Sequence, residues 1–427
     1  MVKRFLYCIL LLLTQAISYA QSMDKIINPK EVERIEKKLS SDDMRGRAVF
    51  TPDIDRAADF IAAEFKKAGL QPGTGSAYLQ NFSLLRATIT SVSGNMNGKP
   101  IDEKNLAVFS AKTELSFNQS SGYKGKYVHA TDTLNTLLSR LQRTGDNYLL
   151  MVDTAHRVMF ERLKRRGSAY TPKGNIVMLL ANEEAGEYNI QVKQTVKEMP
   201  LKNVVGIVPG KSKKEEYVIF SGHYDHLGVK KANAAGDSIY NGANDDAAGT
   251  TAVIMLANYF VKQKNNERTL IFVAFTGEES GGYGSQYFSQ QYNPDQVMAM
   301  FNIEMIGTES KWGTNSAFIT GYEKTDMGKI LEKNLDGTNF KFYPDPYPDQ
   351  QLFYRSDNAT LARQGVPAHT ISTSKMDSEK FYHTVDDEIE TLDMKNMAAI
   401  IRAIAISSTS IIAGKDTPSR VNTSDLR

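Results

Sequence analysis

Apolar positions three and four residues apart mark the early part of the chain. Val32, Ile35 and Leu39 recur in this way, as do Ala57, Phe60, Ile61, Phe65 and Ala68. That spacing lays one apolar stripe along a helix, so residues 24–85 read as a mainly helical start, with Gly69 ending the second helix. The period then changes. Tyr148–Val152, Ile176–Leu180 and Tyr188–Val196 are short alternating runs that predict strands, with one basic helix near His156–Arg166 among them. Residues 86–200 are therefore expected to form a separate β-rich insert. Beyond residue 201 strands and helices alternate. Tyr217–Phe220, Leu270–Phe275, Met298–Ile303 and Ala317–Thr320 are predicted strands. Ala247–Gln263, Gly284–Gln291, Asp326–Leu335, Ala359–Gln364 and Met394–Ile412 are predicted helices. Over residues 201–413 this grammar predicts an α/β fold, a mixed and mostly parallel central sheet with helices on both faces. Tyr343–Gln351 reads as a loop and residues 414–427 as a tail.

Residues 1–20 read as an export signal. Lys3 and Arg4 precede the apolar run Phe5–Leu13, and the small residues Ser18 and Ala20 stand where cleavage before Gln21 is expected. The run is shorter than the roughly 20 apolar residues that a spanning helix needs. Export to the periplasm or the outside is the expectation, with no stable membrane association afterwards. The single cysteine, Cys8, falls in that segment, which excludes disulfides and thiol catalysis from the remainder. Loss of Lys3 and Arg4 leaves 49 basic against 49 acidic residues, so nothing favours nucleic acid as a partner.

Five segments place acids or histidines at the expected ends of strands: Ser221–Gly228, Asn241–Gly249, Phe275–Ser280, Asn302–Gly307 and Phe381–Thr384. Singly, each has a plain structural reading. Asp245 and Asp246 could cap a helix, and Glu278 and Glu279 could be solvated loop charges. Glu304 is harder to dismiss, because a carboxylate in so apolar a stretch needs a partner or a metal. Jointly the pattern is informative. Three of the chain's six histidines fall in these segments, and loops at the carboxyl ends of strands are where α/β folds build sites. His223, Asp245, Glu279, Glu304 and His383 form a ligand set suited to zinc, and one bridging carboxylate would give each of two ions three protein ligands.

These segments resemble the secreted dizinc aminopeptidase family that includes aminopeptidase Y, glutamate carboxypeptidase and transferrin receptor. The resemblance covers the helical start with Gly46-Arg47 and residues 203–413, and implies the zinc exopeptidase (phosphorylase/hydrolase-like) fold. The family often carries a protease-associated domain where residues 86–200 stand. It implies two zinc ions (Zn2+), with His223 on one, His383 on the other and Asp245 bridging both. Glu279 would join the His383 ion and Glu304 the His223 ion, and the Asp245–Asp246 peptide would be cis. Asp225 would orient His223 through its second ring nitrogen, and Glu278 would be the general base and acid. Substrate contacts are expected at Arg355, Asp357, Asn358 and Tyr382, and peptides are the expected substrates. Two residues depart from the family pattern. Glu304 stands where aminopeptidases usually have Asp, and Asn358 stands where the family often has His. His226 and His369 fit no ligand slot and are expected to be structural or rim residues.

The leading expectation is an aminopeptidase. A single-zinc glutaminyl cyclase, a glutamate-type carboxypeptidase and an inactive binding module are the alternatives. A carboxypeptidase would want arginines for the terminal carboxylate, and Arg355 is the obvious candidate.

Overall fold

The structure is a computed structural model that describes residues 23–166 and 173–426. The predicted export segment at residues 1–20 lies outside the described residues. The chain divides into two compact units, one made of residues up to 81 and from 202 onward, the other of residues 82–201.

The first unit opens with helices Pro29–Leu39 and Pro52–Ala68. Asn28 and Thr51 cap them through their side chains, with proline in each first turn. Gly69, at φ 92°, ends the second helix in the left-handed conformation that glycine adopts most readily. Its central strands lie in the order Lys341–Pro344, Ser316–Ile319, Ala368–Ser372, Val297–Ile303, Lys213–His223, Arg268–Phe275, and then residues 204–208. The Lys213–His223 strand runs parallel to both of its neighbours, and Val297–Ile303 runs parallel to Ala368–Ser372. Antiparallel pairing enters where residues 204–208 meet Arg268–Phe275 and where Ser316–Ile319 meets Ala368–Ser372. The sheet is thus mixed and mostly parallel, as expected.

Alternation along its strands explains the helices on both faces. Val218, Phe220, Leu270, Phe272, Ala274 and Phe301 enter one core with Ile35, Phe65, Phe260 and Ile404. Ile219, Ile271, Val273, Phe275 and Met300 enter another with Phe288, Leu361 and Ala362. A strand buried on both sides reads as a continuous apolar run because each face carries its own helical layer. Phe220 anchors the first core, stacked within 5.4 Å of the rings of Phe260, Phe272 and Phe301. The predicted helix Met394–Ile412 breaks at Ser408 into Met394–Ser407 and Thr409–Ile412.

The second unit has a four-stranded sheet in the order Leu106–Phe109, Ile176–Leu180, Tyr148–Val152, Lys124–Val128. One face packs on helices Leu134–Thr144 and Arg157–Arg166 through Leu134, Leu137, Leu138, Leu141, Phe160 and Leu163. The other packs on Leu115, Phe117, Ile190 and Val192. The unit is less purely β than expected, because the Leu134–Thr144 helix was not predicted. Among the described residues no helix is long and apolar enough to cross a membrane.

Candidate metal centre and active site

His223 closes the Lys213–His223 strand, in register with Phe275 at the end of the neighbouring strand. Glu278 and Glu279 follow Phe275 at once, and Glu304 follows Ile303 at the end of Val297–Ile303. Asp245 precedes helix Ala248–Gln263. The carboxyl ends of adjacent parallel strands thus converge on one place.

Asp245 lies at its middle, 2% exposed. Its Oδ1 is 3.2 Å from His223 Nε2 and its Oδ2 is 3.2 Å from His383 Nε2. His383 Nε2 is also 3.0 Å from Glu279. One donor atom from each of His223, Asp245 and Glu304 fits within a 4.8 Å span, and so does one from each of His226, Asp245 and Glu279. All five sequence-predicted ligands are therefore brought together. So is His226, which the sequence reading left as a structural or rim residue. It is buried, with Nδ1 2.9 Å from Glu279 Oε1. Its place in the segment His223-Tyr224-Asp225-His226 was the available signal. His369, in contrast, is structural: its ring nitrogens face Thr320 O at 2.8 Å and Thr325 Oγ1 at 2.7 Å.

Other polar groups hold this cage, and sequence reasoning missed most of them. Asp246 accepts from the backbone N–H groups of His223, Gly249 and Met305 at 2.9–3.1 Å, tying three ligand-bearing segments to one carboxylate. Asp387 accepts from the N–H groups of Asn244 and Asp245 at 2.8 and 3.0 Å. Fully buried Arg47 donates to the carbonyls of Leu39, Tyr224, Asn241 and Gly242. Gly249 must lack a side chain, since a Cβ there would lie 2.1 Å from Ile303 O. The Asp245–Asp246 peptide is cis. His383 has φ 58°, a backbone region uncommon for a non-glycine residue and found at functional sites.

Asp225 differs from its expected geometry. His223 Nδ1 faces the Asp225 backbone carbonyl at 3.1 Å, whereas the carboxylate lies 3.8 Å away. That carboxylate instead accepts the backbone N–H groups of Glu278 and Glu279 at 3.0 and 3.3 Å. Asp225 therefore orients the His223 ring through its main chain and the glutamate loop through its side chain.

A cleft of about 540 Å³ opens on the cage, lined by Asp245, Glu278, Glu304, Phe318, Arg355 and Tyr382 among others. The Tyr382 ring stacks on His383 at 3.9 Å. Asp357 and Asn358 do not line it. Asn358 is fully buried, donating to Phe353 O and Ala368 O and accepting from Thr370. The expected substrate contact at Asn358 is thus corrected to an internal brace.

Burial dominates the electrostatics. It pushes Glu304 and Asp225 up to about 7 and Asp357 up to about 6, and raises Glu278 well above the usual carboxylate range. Burial opposes ionisation of Asp245 too, but His223 and His383 beside it hold its carboxyl below the usual range. Burial disfavours charge on His383, yet Asp245 and Glu279 lift it to about 9. Glu304 Oε2 is buried with no hydrogen-bond partner. So many enclosed carboxylates, with unpaired oxygens on Glu304 and Asp357, call for positive charge, and the donor set of imidazoles and carboxylates is one that zinc accepts.

Comparison with known proteins agrees with this geometry. Residues 203–407 match the model of peptidase family M28. Over those residues the chain is similar to peptidase family M28. It is 28% identical over 224 residues to a probable leucine aminopeptidase of Trichophyton verrucosum (strain HKI 0517), covering 50% of this chain and 58% of that protein. A shorter match, 36% identical over 106 residues, is to a probable zinc metalloprotease of Pyrenophora teres f. teres (strain 0-1), covering 24% of this chain and 22% of the other. The chain thus spans little more than half the length of the first of these curated relatives and less of the second. Its fold is that of the aminopeptidase from Aneurinibacillus sp. strain AM-1, with TM-score 0.54, 16% identity, and 95% and 98% of the two chains covered. The zinc aminopeptidase BSAP from Bacillus subtilis is also similar, with TM-score 0.54, 14% identity, and 92% and 98% covered.

Proposed function

We propose that this protein is a zinc-dependent exopeptidase, an aminopeptidase, that holds two zinc ions and acts on peptides. The observation that carries the reading is Asp245, whose two oxygens each lie 3.2 Å from a different histidine. His223 and Glu304 would hold one ion with it, and His383 and Glu279 the other. Bound there, the ions would supply Lewis acidity toward a carbonyl and toward a water molecule.

The chain's own residues account for the rest. Glu278 lines the cleft, and its partial burial makes its carboxylate bind a proton more readily than usual. It takes the proton of the attacking water and hands it to the leaving nitrogen, which suits a carboxyl tuned upward by burial. The Asp225 carboxylate keeps Glu278 in place through its N–H. Asp357 sits behind the cleft as a buried acid, and Arg355 and Tyr382 line the substrate side. Similarity to proteins described as probable leucine aminopeptidases supports a substrate with a free amino end. Residues 86–200 act as a protease-associated-like insert. The tripartite pattern of residues 1–20 supports export.

Zinc content and the hydrolysis of free and N-acetylated amino-acyl peptides test the reading together. Two zinc ions per chain and cleavage of free-amine substrates are expected. Equal cleavage of blocked peptides would overturn the aminopeptidase assignment, and a single ion with full activity would overturn the two-zinc centre.

A further inference from the structure

His226 is a third imidazole in this centre. Its side chain is fully enclosed, and Nδ1 lies 2.9 Å from Glu279 Oε1. Neither ring nitrogen makes a hydrogen bond. A nitrogen and an oxygen this close but not aimed at each other have the relation of two ligands of one ion, whose lone pairs converge on a third point. Donors around a tetrahedral zinc, at bond lengths of about 2.0–2.2 Å, stand about 3.3 Å apart. The same relation holds between His223 Nε2 and Asp245 Oδ1, 3.2 Å apart with the nitrogen likewise lacking a hydrogen bond. One donor atom from each of His226, Asp245 and Glu279 falls within a 4.8 Å span.

Space has been left for the ring. It meets His383 edge-on at 5.7 Å between centroids. On another side lies Gly242, where a Cβ would come within 2.5 Å of the imidazole. A buried ring with both nitrogens unpaired is unfavourable, and ligation removes that cost.

We propose that His226 is a fourth protein ligand of the ion held by Asp245, Glu279 and His383. The proposal rests on the two-zinc reading above. It makes the two sites unequal: His223, Asp245 and Glu304 on one side, and His226, His383, Asp245 and Glu279 on the other. The cleft agrees with this division. Of the two carboxylates that the ions do not share, Glu304 lines it and Glu279 does not. The four-ligand ion is the tighter one, and the three-ligand ion is the one that exchanges and faces the substrate.

X-ray absorption at the zinc edge, on full-length protein loaded with zinc, counts imidazoles directly. Chelator competition on the same sample gives both dissociation constants. Wild type is expected to show three imidazoles shared by two zinc ions. His226→Asn, which lacks a ring nitrogen, is expected to show two. Its tighter constant should weaken by at least about tenfold while the weaker one stays unchanged. Two imidazoles in wild type overturn the proposal, as do unchanged constants in His226→Asn. Wild type that takes up a single zinc overturns the two-ion reading beneath it. Should the variant fail to fold, the wild-type imidazole count alone decides.

Discussion

At the scale of single residues, the roles proposed for Glu278 and Glu304 can be told apart. Glu278→Gln keeps the shape of the side chain and both ligand sets. It cannot take a proton from water, so kcat is expected to fall by about 10²–10⁴ or more, with zinc content unchanged. Near wild-type kcat would remove Glu278 from the reaction, and loss of zinc alongside activity would make it a ligand. Glu304 Oε2 is buried and unpaired, which fits an oxygen directed at an ion. Glu304→Gln is expected to weaken one zinc by at least about tenfold. Glu304→Asp keeps the charge and should retain more affinity than the amide. Equal zinc affinity and full activity in both variants would show that Glu304 is no ligand. The convergence of His223, Glu279 and Glu304 was legible because each ends or follows an apolar strand and these strands end in one place, whereas Asp245 opens a helix and His383 lies in a loop. Sequence alone did not bring His226 to the cage, because histidine is as common in packed interiors as in metal shells and its segment already supplied His223. Asp387 carried no signal, since its role is to accept two N–H groups from a loop more than 140 residues away in the chain.

Among elements, the strands with continuous apolar runs were easy to place and the one rich in polar residues was not. Leu270–Phe275 and Met298–Ile303 lie within one or two residues of the strands observed, because apolar side chains fill both faces. Ala368–Ser372 escaped notice because it contains His369, Thr370 and Ser372, polar residues whose burial depends on neighbours distant in sequence. Leu134–Thr144 did have the spacing of a helix in Leu134, Leu137, Leu138 and Leu141, and was overlooked among strand-like runs. Contact between helices also sets a pH dependence. Glu36, on Pro29–Leu39, is buried against Ala248–Gln263 and accepts from Thr251 Oγ1 at 2.8 Å. Burial lifts its carboxyl from 4.5 to about 8. The folded state therefore binds this proton more tightly than the unfolded state does. The stability that it contributes is complete below pH 4.5 and is lost as pH rises through about 8. Glu36→Gln removes the titration while keeping the shape. The variant is expected to melt above wild type at pH 9, with the gap closing toward pH 5. A gap that stays constant with pH would show that Glu36 is ionised throughout.

For the whole molecule, the question is whether residues 82–201 serve the metal centre. Their change of apolar period was visible in the sequence, and the predicted limits of 86 and 200 fall within four residues of the observed 82 and 201. The boundary was blurred because Leu79–Met96 and Tyr188–Val208 are continuous strands that pass from one unit into the other, and pairing of that kind leaves no mark in local spacing. The unit has two apolar cores of its own, one on each face of its sheet. Every proposed ligand lies in the other unit. So do the groups that hold the ligands: Arg47, Asp225, Asp246 and Asp387. Removing residues 82–201 and joining the ends with a short flexible linker should therefore leave two zinc ions per chain. The cost should fall on stability, because the truncated strands lose backbone partners and expose an edge. A lower melting temperature with unchanged zinc content is the expected result. A soluble, cooperatively melting truncation that holds fewer zinc ions would show that the insert completes the centre.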